Sequence, residues 1–347
     1  MSEMPVPPPE LAAYVAACSD GDPVRLYLGH GAILARGLLA HFPEDLALSG
    51  ERVLDFGCGS GRFLRHLVNA GTGAAFEGAD IDAACIDWLE RHLPPPHTAF
   101  RNAATPPLPR PDGHYALIYA TSVFTHLTDT WAAWICELHR LLADGGVLIA
   151  TTLDEAAGVD FDEDPWDDAR IGMLVLGPGR PWVAGGPMVL HSEWWIRAHW
   201  GRAFDVLDFH PGTGSDFGQA IVVMRKRPGA ITPEELERIE PDEPRELSAL
   251  IHAVRRAGQE SVSLNADHDA YSVAYQTEAT RSRRLELENA ELARRLADAE
   301  SQLAAARRGP QALVNLLGAL RSRARVLSRR WPGRGGGRGS GSRARTR

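Results

Sequence analysis

The sequence predicts an α/β protein in which a mostly parallel sheet is covered by helices on both faces. Two observations predict this fold class. Short apolar segments alternate with helix-like stretches between Arg52 and Arg227, a pattern typical of strands that are joined by crossover helices. One of these segments runs directly into a glycine-rich turn, and a helix-like stretch follows the turn at once.

Each predicted strand is a short apolar run, and each predicted helix has apolar residues at a helical spacing. The predicted strands are Val53–Phe56, Ala75–Ala79, Thr98–Phe100, Tyr115–Tyr119, Val147–Thr152, Phe204–Phe209 and Ala220–Met224. The predicted helices are Leu11–Cys18, Tyr27–Phe42, Phe63–Ala70, Ala83–Leu93 and Thr130–Leu142. A further helix is expected to begin after Thr232, because Thr232-Pro-Glu-Glu235 is a capping box with proline at the first helical position.

The composition changes along the chain and predicts a sheet domain followed by a helical extension. We expect an N-terminal lead-in (1–24), the sheet domain (25–227, with a lid-like insertion at 155–195), a helical linker (228–270), a short coiled coil (271–308), a basic amphipathic helix (311–331) and a disordered basic tail (332–347). The tryptophans of the insertion suit either a lid that stacks on sugar rings or an apolar cover for the sheet.

Composition and charge exclude several classes of protein. The chain has a formal net charge of −8 and contains 44% hydrophobic residues, which is ordinary for a soluble globular protein. From 321 onwards it contains arginine but no acidic residue, so the remainder is more acidic than the whole, and specific binding of nucleic acid is disfavoured. The four cysteines include no C-x-x-C pair, so we expect neither disulfides nor a metal site. The absence of a signal-peptide pattern predicts a cytoplasmic protein.

The motif that carries most chemical information is Asp55-Phe-Gly57-Cys58-Gly59-Ser-Gly61, which follows the first strand. Glycine allows a sharp turn and a close approach of the backbone to a ligand. A dinucleotide fingerprint would require glycine at position 62, where this chain has arginine. A carboxylate two residues before the glycines suits a cationic ligand group better than a pyrophosphate.

Four further motifs lie at the ends of the next four predicted strands, in chain order. The second strand ends in Gly78-Ala-Asp80-Ile81-Asp82, where an acid can accept hydrogen bonds from a ribose diol. The third strand ends at Asn102. The fourth continues into Ala120-Thr-Ser122-Val-Phe124-Thr-His126, and the fifth follows a tight turn at Asp144-Gly-Gly.

These five motifs in this order resemble the class I S-adenosylmethionine-dependent methyltransferases over about residues 25–227. The resemblance implies a Rossmann-like sheet of seven mostly parallel strands, in which the last two strands supply a hairpin with one reversed strand. It also implies methyl transfer from S-adenosyl-L-methionine by in-line displacement, with no metal.

The resemblance assigns roles to most of the motif residues. Gly57, Gly59 and Gly61 would pack against the methionine and ribose, together with Asp55 and Cys58 of the same loop. Asp80 would hold the ribose hydroxyls, and Ile81 would line the adenine pocket. Asn102 would meet the adenine amino group, although many relatives have aspartate there. Ser122 lies in the segment 120–124, which would face the sulfonium and the substrate.

A looser resemblance is to bacterial methyltransferases found beside glycosyltransferases, and it favours O-methylation of a glycan or another sugar-containing acceptor. Thr121-Ser-Val-Phe124 stands where methyltransferases of base amines have Asn/Asp-Pro-Pro-aromatic, which disfavours a base-amine target. The alternatives are O-methylation of a small metabolite and a non-catalytic scaffold on a coiled-coil tether.

His126 is the candidate catalytic residue. It follows the fourth strand on the loop that would face the transferable methyl group, where a neutral imidazole could take the proton of an acceptor hydroxyl. The alternative is a histidine that only packs or caps the start of a helix.

The C-terminal part predicts interactions with other surfaces. A heptad seam is formed by Leu285, Asn289, Leu292, Leu296, Ala299, Leu303 and Ala306. It predicts a homodimer through 285–306, and its asparagine favours a parallel pair; a lone solvated helix is the alternative, because three heptads are few and two of the core positions are alanine. The basic amphipathic helix at 311–331 suits an anionic membrane surface on the inner membrane face, a groove of a partner protein, or a nonspecific contact with RNA.

Overall fold

The computed structural model describes residues 4–16, 22–157, 166–177, 180, 185–216, 218–256, 258, 283, 290, 293–298 and 301. The chain divides into two compact units, Met1–Val262 and Ser263–Arg347. The segments predicted to form the basic helix and the tail lie outside the described residues, as does the predicted heptad seam except for Leu296. None of the helices in the described part is both long and apolar enough to cross a bilayer.

A seven-stranded sheet forms the centre of the first unit. Its strands are β1 (Arg52–Phe56), β2 (Ala75–Asp80), β3 (Thr98–Arg101), β4 (Tyr115–Ala120), β5 (Leu142–Thr152), β8 (Phe204–His210) and β9 (Ala220–Lys226). Their order in space is β3-β2-β1-β4-β5-β9-β8. Strands β1 to β5 are parallel, and β9 runs antiparallel to both β5 and β8. The predicted Rossmann-like sheet and its reversed strand are confirmed.

Helices cover both faces of the sheet within the described residues. They are α1 (Pro9–Ala16), α2 (Pro23–Ala40), α3 (Leu64–Leu67), α4 (Ala83–His92), α5 (Trp131–Leu141), α6 (Glu193–His199) and α7 (Pro233–Glu237). The capping box of Thr232 and Glu235 is formed at α7, as its spacing predicts. Residues 246–256 form one more helix.

The alternation of side chains along the strands divides the core into two layers. Leu54 and Ile118 pack with Trp134 and other residues of α5 and α6 on one face. Val53 and Leu117 pack with residues of α2, α3 and α4 on the other face. Strands buried on both sides read as continuous apolar runs, and for this reason the strands could be predicted from sequence.

The insertion at 155–195 contains a small hairpin, β6 (Met173–Leu176) with β7 (Met188–His191), which the sequence did not predict. A bridge between Leu153 and Leu190 connects it to the end of β5. Trp194 and Trp195 are buried in the core beside α5, so these two tryptophans cover the sheet.

His191 ends β7 and is fully buried. Its ring lies 5.3 Å from that of Trp195 and 5.5 Å from that of Trp200. Neither of its ring nitrogens has a hydrogen-bond partner, and burial lowers the pKa of the imidazole to about 3.

Candidate active site

The candidate site lies at the carboxyl edge of the parallel strands, where the strand order reverses between β1 and β4. Ligands of open α/β sheets bind in the crevice at such a switch point. The loop after β1 opens this crevice, and its Gly57 and Cys58 amides donate hydrogen bonds to the carbonyl of Ala79 at the end of β2.

The glycines of this loop share a positive φ but approach different neighbours. Gly57, Gly59 and Gly61 have φ values of +82°, +51° and +84°, which side-chain-bearing residues rarely adopt. A Cβ on Gly57 would lie 2.3 Å from Cγ2 of Val123, in the loop after β4. A Cβ on Gly61 would instead lie 2.8 Å from Cδ2 of Leu89 in α4. Gly61 therefore packs the loop closely onto α4.

Cys58 turns its side chain into the core. The residue is buried, and its Sγ occupies the space where a Cβ on Gly78 would be. Burial raises the pKa of its thiol well above the usual value. Cys58 can therefore contact a ligand only through its backbone.

Asp80 ties the end of β2 to the glycine loop. Its Oδ2 accepts a hydrogen bond from the Gly59 amide at 2.7 Å, and its Oδ1 accepts one from the Asp82 amide at 2.8 Å. Burial raises the pKa of this carboxyl, and the two backbone hydrogen bonds oppose the rise. Each carboxylate oxygen can accept a second hydrogen bond. Ile81 follows with 49% of its surface exposed.

Asp55 is almost completely buried beneath the same loop. Its Oδ2 has no hydrogen-bond partner of normal geometry, and in the sheet the residue lies between Gly78 of β2 and Tyr119 of β4. Burial raises the pKa of its carboxyl to about 8; the charge of Asp80 adds to the rise, and the hydroxyl of Tyr119 opposes it. An uncompensated buried acceptor of this kind is rare in native proteins.

Asn102 presents a second such acceptor. Its backbone amide donates to the Asp80 carbonyl at 3.0 Å, which fixes the residue at the end of β3. Its side-chain Nδ2 donates to the Ala103 carbonyl at 2.7 Å, while its buried Oδ1 accepts no hydrogen bond.

Ser122 lies in the loop after β4 in a strained conformation. Its φ is +57°, and no other non-glycine residue in the described part of the chain has a positive φ. Its amide donates to Oγ1 of Thr151 at 2.7 Å, and its Oγ lies 3.0 Å from Nε2 of Gln219. Strain of this kind concentrates at functional sites. Sequence reasoning missed Thr151 and Gln219 as partners of Ser122.

His126 lies farther along the same loop and is partly exposed. Its Nδ1 is 2.7 Å from the carbonyl oxygen of Pro187. A carbonyl can only accept, so in the neutral ring Nδ1 carries the proton and Nε2 carries the lone pair. This tautomer is the one that a base acting through Nε2 requires.

The N-terminal segment contacts the outer side of the glycine loop, a feature that sequence reasoning missed. The hydroxyl of the buried Tyr27 donates to the Ser60 carbonyl at 2.9 Å. The Ser60 hydroxyl donates to the carbonyl of Leu11, and the Arg65 guanidinium donates to the carbonyls of Met4 and Pro5. These hydrogen bonds hold the loop between the start of the chain and the sheet.

Comparison with known families gives a match over the part of the chain that contains this site. Residues 32–174 match a family model described as a methyltransferase domain. The match spans β1 to β5 and every predicted site residue, and it covers less than half of the chain.

Solved structures with detectable similarity include several methyltransferases. An S-adenosylmethionine-dependent methyltransferase from Mesorhizobium loti is 19% identical, with 55% of this chain and 96% of that chain covered and a TM-score of 0.42. One from Aquifex aeolicus is 16% identical, with 63% and 99% covered and a TM-score of 0.42. A structure of the complex between the Haloferax volcanii Trm112 methyltransferase activator and a methyltransferase also matches. The identity is 17%, with 64% of this chain and 99% of that chain covered and a TM-score of 0.45.

Proposed function

We propose that the protein is an S-adenosylmethionine-dependent methyltransferase that methylates a hydroxyl group on a glycan or another sugar-containing acceptor. The observation that carries the cofactor assignment is a pair of buried acceptors at the strand ends: Asn102 Oδ1 accepts no hydrogen bond, and Asp55 Oδ2 accepts none of normal geometry, with the hydroxyl of Tyr119 as its neighbour. A ligand that carries a cationic group at one end and an amino-bearing aromatic ring at the other satisfies the two acceptors. S-adenosylmethionine carries these two groups.

The other residues of the crevice fit the same ligand. The second lone pairs of the Asp80 carboxylate suit a ribose diol, and the exposed apolar surface of Ile81 suits the face of an adenine ring. S-adenosylmethionine, when bound, supplies a methyl carbon that is already activated by the sulfonium. The protein then has to align an acceptor with that carbon and remove a proton.

We assign the removal of the proton to His126. Its Nδ1 is held by the Pro187 carbonyl, which leaves Nε2 as the basic nitrogen. His126→Ala is expected to lower turnover by about 10²–10⁴-fold with unchanged cofactor affinity. A normal rate in this variant would assign His126 a purely structural role.

The acceptor is proposed to be a hydroxyl because a hydroxyl side chain and an amide side chain meet beside the end of β4. Ser122 and Gln219 form such a pair at the end of β4, and the loop lacks the Pro-Pro-aromatic sequence of base-amine methyltransferases. A small-metabolite hydroxyl is the second candidate. We place the enzyme in the cytoplasm, with the basic helix at 311–331 on the inner membrane face.

Calorimetry with S-adenosylmethionine tests the cofactor assignment and separates an enzyme from a scaffold. Asp80→Ala should weaken binding by about 1–3 kcal/mol, because a charged acceptor is lost and the Gly59 amide loses its partner. The exposed Asp144→Asn serves as the control. Unchanged affinity in Asp80→Ala would overturn the assignment, and no binding by the wild-type protein would favour the scaffold.

Mass spectrometry of cell-surface glycans, with and without the gene, tests the acceptor. Loss of a 14-dalton mass increment on a sugar supports the glycan proposal. Unchanged glycans, together with methylation of a small hydroxyl compound by the purified protein, would select the second candidate.

A further inference from the structure

Ser122 is held from two sides by parts of the chain that follow it. It lies two residues beyond Ala120, the last residue of β4 that pairs with β5, so its amide needs an acceptor outside the strand ladder. Oγ1 of Thr151, on β5, accepts a hydrogen bond from this amide at 2.7 Å. Nε2 of Gln219, directly before β9, donates to the Ser122 hydroxyl at 3.0 Å. The backbone and the side chain of Ser122 are therefore fixed separately.

The hydroxyl of Thr151 is suited to hold a residue in a strained conformation. Thr151 is 1% exposed, so water does not compete for its hydroxyl, and its β-branched side chain is restricted at χ1. Ser122 has a φ of +57°, which is unfavourable for a residue with a Cβ and persists only where the surroundings impose it. The hydrogen bond to Thr151 is such a constraint, because it acts on the strained backbone itself.

The conformation of Ser122 decides where the next residues of the loop lie. Val123 contacts the glycine loop so closely that a Cβ on Gly57 would lie 2.3 Å from its Cγ2. The Val123 carbonyl accepts a hydrogen bond from the His126 amide at 3.0 Å, so a turn joins these two residues. A change of φ at Ser122 would therefore displace Val123 from Gly57 and would move His126 as well.

We infer that Thr151 is a positioning residue of the candidate site. Its hydroxyl holds Ser122 in the left-handed conformation that keeps the loop after β4 against the glycine loop, and Gln219 supports the same conformation through the Ser122 side chain. The importance of this position for binding S-adenosylmethionine rests on the proposed function, whereas the hold of Thr151 on the loop does not.

Hydrogen exchange of the full-length protein, followed by mass spectrometry of peptides that cover 120–127, tests the hold on the loop. Thr151→Val keeps the shape of the side chain but removes the acceptor of the Ser122 amide, so exchange in this segment should become about tenfold faster. Thr151→Ser keeps the hydroxyl and should retain the wild-type rate. The matched control is Thr152→Val, because Thr152 is fully buried and its Oγ1 has no hydrogen-bond partner among the described residues. Thermal melting verifies that each variant is folded.

Calorimetry with S-adenosylmethionine on the same proteins tests the role in the site. Thr151→Val should bind about tenfold more weakly, because the ligand must first restore the loop, while Thr151→Ser and Thr152→Val should match the wild type. Wild-type exchange in Thr151→Val would overturn the inference, and so would faster exchange with unchanged affinity or equal effects of Thr151→Val and Thr152→Val. A wild-type protein that binds no S-adenosylmethionine would overturn the proposed function, while faster exchange in Thr151→Val would still establish the hold on the loop.

Discussion

At the scale of single residues, Asp55 has the most unusual electrostatics of the site. Its carboxyl is buried with an unsatisfied oxygen, and its pKa of about 8 keeps it largely protonated at neutral pH. A cation that binds beside it favours the ionised form. Binding of a cationic ligand is therefore coupled to release of a proton.

We predict that S-adenosylmethionine binding near pH 7 releases close to one proton and that affinity rises with pH up to about pH 8. The number of protons follows from calorimetry in buffers of different ionisation enthalpy. Asp55→Asn should abolish both effects, and Asp144→Asn should preserve them. Proton release by Asp55→Asn equal to that of the wild type would show that another group is responsible.

Residue types and spacing predicted that Asp55, Asp80 and Asn102 lie at the carboxyl ends of three strands, because each stands within two residues of the end of an apolar run. The Ser122–Gln219 pair could not be predicted in this way. The two residues are 97 positions apart, and only the insertion of β9 next to β5 brings them together.

At the scale of elements, the start of the chain stabilises the glycine loop through α2. The Tyr27 hydroxyl satisfies the Ser60 carbonyl inside the protein, and burial raises the pKa of this hydroxyl to about 12. The N-terminal segment thus supports the glycine loop from its outer side.

Tyr27→Phe is predicted to destabilise the protein by about 1–3 kcal/mol, because it leaves the buried Ser60 carbonyl without a donor. Urea unfolding measures the change. Ser60→Ala keeps that carbonyl bonded and loses only the 3.2 Å hydrogen bond to Leu11, so its effect should be smaller. Equal stability of Tyr27→Phe and the wild type would contradict the prediction.

The β6–β7 hairpin contributes a pH dependence through His191. Its folded pKa of about 3 lies below the ordinary value of 6.5, so the unfolded chain binds more protons between these values. The free energy of unfolding should therefore fall as pH falls from 6.5 towards 3, by at most about 1.4 kcal/mol per pH unit from this group.

His191→Phe should flatten this acidic part of the stability curve, which urea unfolding at successive pH values measures. His30→Gln, at an exposed histidine of α2, is the control and should keep the wild-type slope. An unchanged slope in His191→Phe would assign the acid sensitivity to other groups. The hairpin itself was missed because its two short strands are separated by a Gly/Pro-rich stretch that predicts only a loop.

At the scale of the whole molecule, charge is distributed unevenly along the chain. An acidic sheet domain precedes a C-terminal part in which arginines occur without acids from 321 onwards. We predict that a protein cut at about residue 270 still binds S-adenosylmethionine but no longer sediments with anionic liposomes. The full-length protein should do both, with binding to liposomes lost at high salt. Equal liposome binding by both proteins would refute the membrane role of the basic helix.

The position of β9 has a consequence for synthesis on the ribosome. β9 is the last strand of the sheet to be made, but in space it lies between β5 and β8. The strand made before it, β8, pairs only with β9, so it has no place in the sheet until β9 has left the ribosome. Nascent chains that end before Ala220 therefore contain β1 to β5 with an open edge at β5, and their β8 has no partner strand. Open strand edges promote aggregation. The nascent sheet stays vulnerable until β9 has left the ribosome.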